Sequence, residues 1–486
     1  MTSVLIVGAG PTGLTLALDL ARRGVLFRLV DAAPSAFTGS RGKGLQPRSL
    51  EVFEDLGVLD ALLVHGGPYP SMRTYQDNGV VSDRALGEHI EPTPAVPHPN
   101  PLMVPQWRTE TLLREHLADL GGTVEFGTRL TGFTQDADGV TATLASPYGN
   151  ETVRADYLVG ADGGRSTVRK TLDVSFLGET YDTQRMLVGD VRLTGLDRDF
   201  WHMWPAPGML GGLALCPLAG TDTFQLITPP LSEGTDLPSL AELQDLLTSV
   251  TARPEIVLTE LLWLSLYRAN VRMVDRYRVG RVFLAGDAAH VHPPSGGQGL
   301  NTGVQDAYNL GWKLAAVLDG APETLLDTYE QERLPVAAHV LGLSTHLLAR
   351  DAAEGIRRDE ETRQLGLGYR GGPLAGDPRE TTTGLAAGDR APDALLPGGR
   401  RLFDLCRGPH ATALVFGSDA RVRELDVTAV LTHGGLTGVP VRVVAVPEES
   451  ARASYGVPEG AVVLVRPDGY LASVDAAPAV LHGAGW

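Results

Sequence analysis

The pattern of apolar and polar positions changes texture along the chain. Val4-Leu-Ile-Val7 is a short continuous apolar run, which predicts a buried strand. Residues 13–23 carry helical spacing that stops at Gly24, and 25–30 reads as a second strand, so the chain opens with a βαβ unit. Helical periodicity recurs over 48–64, and over 108–120 with Thr109 as the expected N-cap. Prolines at 92, 94, 97, 99 and 101 predict loop between them. Residues 123–134 and 139–145 predict a hairpin, and Tyr157–Gly163 a strand ending in a turn. From 176 to 274 short alternating runs, such as Met186–Val191 and Phe224–Thr228, predict an antiparallel sheet. Helices are expected at 300–318 and 323–350. Residues 351–395, charged and rich in Gly and Pro, read as an irregular linker. Apolar runs at 402–405, 412–416, 441–446 and 461–466 then predict a small separate β/α domain.

Composition narrows the function classes. The chain has 486 residues, 43% of them hydrophobic, enough for a large core in two or three domains. A net charge of −17 excludes an electrostatic footprint for nucleic acid and disfavours anionic membrane surfaces. Lysine is rare, at Lys43, Lys170 and Lys313 only, so arginine carries the positive charge. Cys216 and Cys406 form no CxxC and no metal-ligand spacing, which suits a reducing, cytoplasmic location. The apolar N-terminus lacks a basic leader region, and no apolar run reaches the roughly 18 residues of a membrane span.

Two motifs bear the chemistry. Gly8-x-Gly10-Pro11-Thr12-Gly13 follows a strand and opens a helix, the context in which glycines allow a tight turn, backbone approach to a pyrophosphate and close helix packing. The helix N-terminus offers free N–H groups to phosphate, and Asp31, ending the second strand, is placed to accept from a ribose hydroxyl. About 280 residues later Val282-Phe-Leu-Ala285 ends in Gly286-Asp287, followed by Pro293-Pro-Ser-Gly-Gly-Gln-Gly299. A carboxylate there can accept from a ribityl chain, and the glycines let backbone lie against a flat ring. Leu300 and Asn301 begin a helix whose dipole stabilises negative charge on a reduced flavin. His290 and His292 form an HxH pair without further ligands nearby in sequence, so no metal site is expected.

With these residues the chain resembles the group A FAD-dependent aromatic monooxygenases, the para-hydroxybenzoate and phenol hydroxylase superfamily. Within it the chain is most similar to actinobacterial hydroxylases that tailor aromatic polyketides and antibiotics. The resemblance rests on Gly8–Gly13, on Asp162-Gly163 with Arg165, on Gly286-Asp287 with its Pro-Gly loop, and on the segments Ser40–Arg48 and Val104–Trp107. It implies an α/β fold. A Rossmann-like (GR2-type) FAD-binding domain would comprise 1–72, 102–175 and 275–350, and a β-sheet substrate domain 73–101 and 176–274. After a linker at 351–395, a thioredoxin-like C-terminal domain would occupy 396–486, serving packing or oligomer contact rather than redox chemistry.

The resemblance also implies roles. Gly8, Gly10, Pro11, Thr12, Gly13, Asp31, Arg41, Gln106, Asp162, Asp287, Pro294, Gly297, Gly299, Leu300 and Asn301 would hold FAD. Asp31 stands where many members have Glu. NADPH or NADH would dock transiently, since no second GxGxxG exists; Arg165 and Arg169 could assist. O₂ would add to the reduced flavin, and a C4a-hydroperoxide would hydroxylate a phenolic or polyketide-like aromatic small molecule. A Baeyer–Villiger or epoxidising oxygenase on the same scaffold, and a non-catalytic FAD-fold binding protein, are the alternatives. Trp201–Trp204 lacks the halogenase pattern. Met203, Trp204, Leu213, Leu215, Phe224 and Pro293 are expected to wall the substrate. His202, His292 and Gln225, with Tyr69 and Tyr75, are the candidates for base or relay. A monomer or homodimer is expected, with neither nucleic acid nor membrane as partner.

Overall fold

The computed structural model describes residues 2–474 except 77–78, 206–211, 233, 294, 355, 377–383 and 418–426. The strand Thr2–Val7, apolar and buried from Val4 onward, pairs in parallel with Phe27–Asp31 on one side and with Gly149–Gly160 on the other. Val282–Leu284 pairs in parallel with Gly149–Gly160, and Val124–Phe126 extends the far edge beside Phe27–Asp31. Parallel strands point the same way, so segments distant in sequence deliver their C-terminal loops to one edge. Gly8–Gly13, Asp162 and Gly286–Asp287 therefore meet there, as ligand loops do in a doubly wound sheet. The helix Pro11–Arg22 packs Leu14, Leu16, Ala17, Leu18 and Leu20 into the core. The helix Gly299–Leu318 lies against it, buried over nearly its whole length.

Three local expectations are corrected. Residues 48–64 form two helices, Pro47–Asp55 and Leu59–His65, because Gly57 adopts φ 79° between them. The helix expected from 108 is Gln106–Asp119 with Pro105 at its N-cap; Thr109 is inside it, buried, with its hydroxyl donating back to the Pro105 carbonyl. The hairpin is Arg129–Asp136 with Gly139–Ser146, while Val124–Phe126 joins the parallel sheet instead.

The second sheet runs His290–Val291, Val257–Val274, Phe176–Thr194, Phe224–Thr228, Leu213–Pro217, Phe200–Trp204, Ser71–Gln76 and Gly79–Arg84. It is antiparallel except where Phe200–Trp204 meets Ser71–Gln76 in parallel, so it is mixed rather than purely antiparallel. The helix Leu240–Thr251, closed by a capping box between Ser239 and Glu242, covers one face of this sheet. The other face turns toward the first domain.

A third sheet, in the order Val441–Ala445, Ala411–Val415, Val462–Val465 and Leu471–Ser473, mixes one parallel with two antiparallel pairings in a thioredoxin-like arrangement. Ala391 and Ala394 belong to its core, so this part of the expected linker is structured. Earlier in the same stretch Gln364 exchanges hydrogen bonds with Gln298 and Gln305 at 2.7 and 2.6 Å. Arg466 of this domain reaches Glu332 at 2.6 Å, and Arg48 donates to the Asp468 carbonyl at 2.6 Å, so buried polar contacts fasten it to the first domain. The Cys406 thiol, the free cysteine of this domain, is pushed up to about 12 by burial, which removes it from thiolate chemistry.

Candidate functional site

The fingerprint glycines divide by what surrounds them. A Cβ on Gly8, which has φ 106°, would lie 2.3 Å from the Ala161 carbonyl oxygen, and one on Gly13 would lie 1.9 Å from that of Gly8. Both are required by packing of loop, strand and helix. A Cβ on Gly10 meets nothing within 4 Å, so open space lies over the helix N-terminus, where a pyrophosphate would sit. Pro11 begins the helix and needs no N–H donor there. Thr12 instead turns its hydroxyl toward Gly286 and Gly303, where an added Cβ would stand 2.5 and 2.4 Å away. Asp31 accepts from the N–H groups of Ala9 at 2.7 Å and Ala33 at 2.8 Å, which fixes its carboxylate beside the loop.

Gln106 links this loop to the next segment. Its Oε1 accepts from the Gly42 N–H at 3.0 Å and its Nε2 donates to Glu110 at 2.8 Å. Burial pushes the Glu110 carboxyl up to about 7. Arg41 is exposed and stacks over Phe37 and Trp263, with its guanidinium 5.3 and 5.8 Å from the ring centroids.

Asp287 presents its side chain to solvent, yet the protein mass around it raises its carboxyl above the usual range. That combination describes a group facing a recessed cleft. Behind it, Asp306 accepts from the Gly286 N–H at 3.0 Å, from His290 Nε2 at 2.7 Å and from Arg333 Nε at 2.7 Å. His290 is thus committed to holding the loop. His292 is also buried, and its Nδ1 donates to the Pro293 carbonyl at 3.1 Å; burial pushes it down to about 4, so it stays neutral. No group of three or more His, Cys, Asp or Glu residues that could hold a metal occurs among the described residues.

The loop before the Gly299–Leu318 helix is anchored by side chains. Asn301 Oδ1 accepts from the Gln46 N–H at 2.7 Å, and its Nδ2 donates to the carbonyls of Gly44 at 2.9 Å and Gly297 at 2.8 Å. Its side chain is spent on ordering, which leaves backbone to face a ligand. Gly299 lies against His292: an added Cβ would stand 3.2 Å from the ring. Gly297 has φ 62° and is exposed, and Leu300 borders Gly42. Pro294 lies outside the described residues. Asp162 caps a short helix, accepting from Ser166 Oγ at 2.5 Å and Thr167 N at 2.7 Å. Buried Arg169 clamps that turn to the second loop, donating to the carbonyls of Gly164 and Ala288, both at 2.8 Å, whereas Arg165 is exposed.

Most of the residues expected to wall the substrate lie on the face of the second sheet that turns away from the first domain. Trp204, Leu213, Leu215 and Phe224 point into the core beneath the Leu240–Thr251 helix. His202 shares their face, bound to Tyr75 OH at 2.8 Å and to the Asp197 carbonyl at 3.0 Å, so neither His202 nor Tyr75 reaches the domain junction. The register pairs Met203 with Ala214 and Cys216 with Gln225, and these residues, with Trp201 and Ile227, face the first domain. Met203 and Gln225 therefore remain at the junction, as does Tyr69, which abuts Gly44. Pro293 is buried beside His292.

Lys43 and Asp190, which the sequence did not single out as site residues, also face this junction. Lys43 Nζ donates to Gln225 Oε1 at 2.6 Å and lies 3.9 Å from the Trp201 ring centroid. The available signals were one of the three lysines of an arginine-rich chain, and an acid inside the apolar strand run Met186–Val191. Asp306 and Arg333, both fully buried, were missed as well.

A cleft of about 680 Å³ is lined by Gly66, Pro68, Met103, Pro217 and Gly220 and touches neither flavin motif. A second, of about 560 Å³, lies between Phe37, Thr38, Trp107 and Arg108 on one side and Asp190 and Arg192 on the other.

Comparison with known proteins agrees with this arrangement. Residues 1–344 match the FAD binding domain model, and 385–484 match the aromatic-ring hydroxylase C-terminal model. A flavin-dependent monooxygenase of Mycobacteroides abscessus is 48% identical, covering 96% of each chain. The 6-methylpretetramide 4-monooxygenase of Streptomyces rimosus is 36% identical over 97% of this chain and 90% of the relative. The solved structure of aklavinone-11 hydroxylase with FAD and aklavinone is 30% identical, with TM-score 0.80, covering 97% of this chain and 95% of that one.

Proposed function

The chain belongs to the FAD-dependent aromatic-ring monooxygenases, and from that membership we propose that it uses NAD(P)H and O₂ to hydroxylate a bulky phenolic ring of polyketide or antibiotic type. The observation that carries this reading is the meeting of open space over Gly10, the cleft-facing Asp287 and the glycine loop before Leu300 at one sheet edge. FAD bound there supplies electron transfer from the nicotinamide and activation of O₂.

The protein's part is binding, orientation and exclusion of water. Gly8, Gly10, Pro11 and Gly13, with the N–H groups of the Pro11–Arg22 helix, would hold the pyrophosphate, with Thr12 packed behind them. Asp31 and Gln106 would serve the adenosine side with Arg41 nearby, and Asp287 the ribityl chain. Leu300 and Asn301 would offer backbone N–H groups at a positive helix end, which favours negative charge on the reduced ring. Gly297 and Gly299 allow close approach. Asp162, through its helix cap, and Arg169 keep the two loops together. The aromatic substrate would lie between this edge and Met203, Ile227 and Tyr69, where apolar walls keep water from the oxygen-transfer step.

The polyketide-type substrate is supported by what relatives act on: a methylpretetramide and, in the solved complex, aklavinone. The test is aerobic NADPH turnover with polycyclic phenols, simple phenols and naphthols, with products identified by mass spectrometry and NMR. A product gaining one ring hydroxyl supports the reading. A lactone or epoxide replaces hydroxylation by the Baeyer–Villiger or epoxidising alternative.

A further inference from the structure

The loop that opens the Gly299–Leu318 helix turns on two successive glycines in left-handed conformation, Gly296 at φ 85° and Gly297 at φ 62°. A peptide between two glycines flips at little cost, because no side chain opposes either orientation. Here buried glutamines select one orientation. The Gly296 carbonyl accepts from Gln298 Nε2 at 2.7 Å and from Gln46 Nε2 at 3.0 Å. The peptide is trans, so its N–H, on Gly297, points away from that carbonyl. Gly297 is exposed, and its N–H meets no acceptor among the described residues. The clamp on Gly296 thus turns this N–H outward, to the side of the loop where the flavin ring is placed.

Gln298 is itself held. Its Nε2 also donates to the Thr362 carbonyl at 3.0 Å, and two carbonyls at one end leave its amide a single polarity. Its Oε1 accepts from Gln364 Nε2 at 2.7 Å, and Gln364 Oε1 accepts from Gln305 Nε2 at 2.6 Å. The amides therefore form one chain from Gln305 through Gln364 and Gln298 to Gly296, each donating to the next. Gln364 comes from the stretch between the first and C-terminal domains and has φ 62° and ψ 11°. A residue with a Cβ is strained there, and such strain persists only where surrounding contacts hold it. The contacts here are the amides of Gln298 and Gln305, with Thr302 Oγ1 3.3 Å from Gln364 Nε2.

We infer that Gln364 is a positioning residue for the flavin: acting through Gln298, it keeps the Gly297 N–H, and not the Gly296 carbonyl, facing the ring edge. The inference rests on the flavin placement proposed above and is independent of the substrate. An N–H aimed at the ring favours the negative charge of its reduced form, whereas a flipped peptide would present a carbonyl oxygen and repel that charge. Gln364 is 2% exposed, so it acts only through other residues, and its effect is read in the balance between oxidised and reduced FAD. It also lies outside residues 1–344, the part that matches the FAD binding domain, so the chain between the domains completes the flavin site.

The test measures the midpoint potential of the bound flavin against a reference dye, without substrate, together with FAD affinity and backbone hydrogen exchange over residues 295–299 of the apoprotein. Gln364→Leu is expected to weaken reduced FAD about tenfold relative to oxidised FAD, which lowers the two-electron potential by about 30 mV. Exchange in the loop should quicken in the same variant. Gln298→Leu cuts the chain next to Gly296; it should move the potential as far, and the double variant no further, because both break one path. Gln364→Gly relieves the left-handed strain but removes the amide, and is expected to show the same shift as Gln364→Leu. A wild-type potential in Gln364→Gly would mean that only the backbone bend matters and would overturn the inference, as would additive shifts in the double variant. Wild-type protein that takes up no FAD, or an Asp287→Ala variant that binds FAD as tightly as wild type, overturns the flavin placement instead.

Discussion

Arg333 donates from Nε to Asp306 at 2.7 Å, with both side chains fully buried. The second oxygen of Asp306 holds the Gly286 N–H and the His290 ring, so a buried ion pair fixes the turn that aims Asp287 into the cleft. The arrangement explains the HxH pair without a metal: His290 is one strut of the turn, and His292 packs under Gly299.

Removing Asp306 leaves the Arg333 charge buried and short of its acidic partner. Asp306→Ala is expected to lose about 3–5 kcal/mol of stability, the cost of breaking a buried pair, and to release FAD. Asp287→Ala removes a group that faces the cleft. It is expected to weaken FAD binding by roughly 10–100-fold, in line with one lost charged hydrogen bond, with apoprotein unfolding nearly unchanged. Urea unfolding of apoprotein and fluorimetric FAD titration separate the two. Equal loss of stability in both variants would contradict the assignment.

The fingerprint glycines make a second contrast. Gly13→Ala places a Cβ 1.9 Å from the Gly8 carbonyl, so the loop or helix must move; a loss of at least about 1–3 kcal/mol and poor flavin content are expected. Gly10→Ala meets no protein atom within 4 Å, and its fold is expected to stay within about 1 kcal/mol of wild type. Its methyl would instead occupy the space proposed for pyrophosphate, so FAD affinity should fall. Apoprotein melting compared with FAD affinity reads both. Normal FAD affinity for Gly10→Ala would remove the pyrophosphate from this loop.

The two faces of the second sheet give a third. Leu215→Ala opens a cavity in the core beneath the Leu240–Thr251 helix and is expected to cost about 2–5 kcal/mol, with KM little changed. Met203→Ala, on the other phase and half-buried, is expected to cost less stability and to change KM and the fraction of NADPH spent on H₂O₂. Steady-state kinetics with peroxide detection decides. The reverse pattern would place the substrate on the other face.

What the sequence disclosed and what it hid follow from range. Gly8, Gly10 and Gly13 are legible because a tight strand–helix turn demands glycine locally. The Gly286-Asp287 turn is legible because it follows an apolar run directly. The core packing of Trp204, Leu213, Leu215 and Phe224 was hidden because the sheet is apolar on both phases, and only the Leu240–Thr251 helix decides which phase is core. Its position is a long-range fact. Likewise Asp306 with Arg333, 27 residues apart on two helices, and Lys43 with Gln225, 182 apart, leave no periodic trace. The stretch 351–395 reads as linker because it is charged and rich in Gly and Pro. Yet Gln364, at φ 62°, threads its amide between Gln298 and Gln305, giving the flavin-side loop a buried support.

The seam between the first and C-terminal domains should be acid-sensitive through Glu332. Arg466 donates to it at 2.6 and 2.9 Å, Lys313 at 2.7 Å and Asn309 at 2.8 Å, all of them buried. Burial works to raise this carboxyl, but the charges of Arg466 and Lys313 outweigh it and hold Glu332 at about 2, against 4.5 when free. A group held below its free value contributes stability above that free value and loses it as pH falls toward the folded one. The gap corresponds to roughly 3 kcal/mol, present above about pH 5 and lost progressively toward pH 2. Glu332→Gln should abolish that slope and, by leaving Arg466 short of a partner, cost about 3–5 kcal/mol at pH 7. Trp312 lies in the core shared by the two domains, 5.6 Å from the Arg466 guanidinium, so its fluorescence reports their separation. Acid titrations of wild type and Glu332→Gln, read by Trp312 fluorescence and limited proteolysis, check both parts. Parallel curves for the two proteins would show that Glu332 does not control the seam.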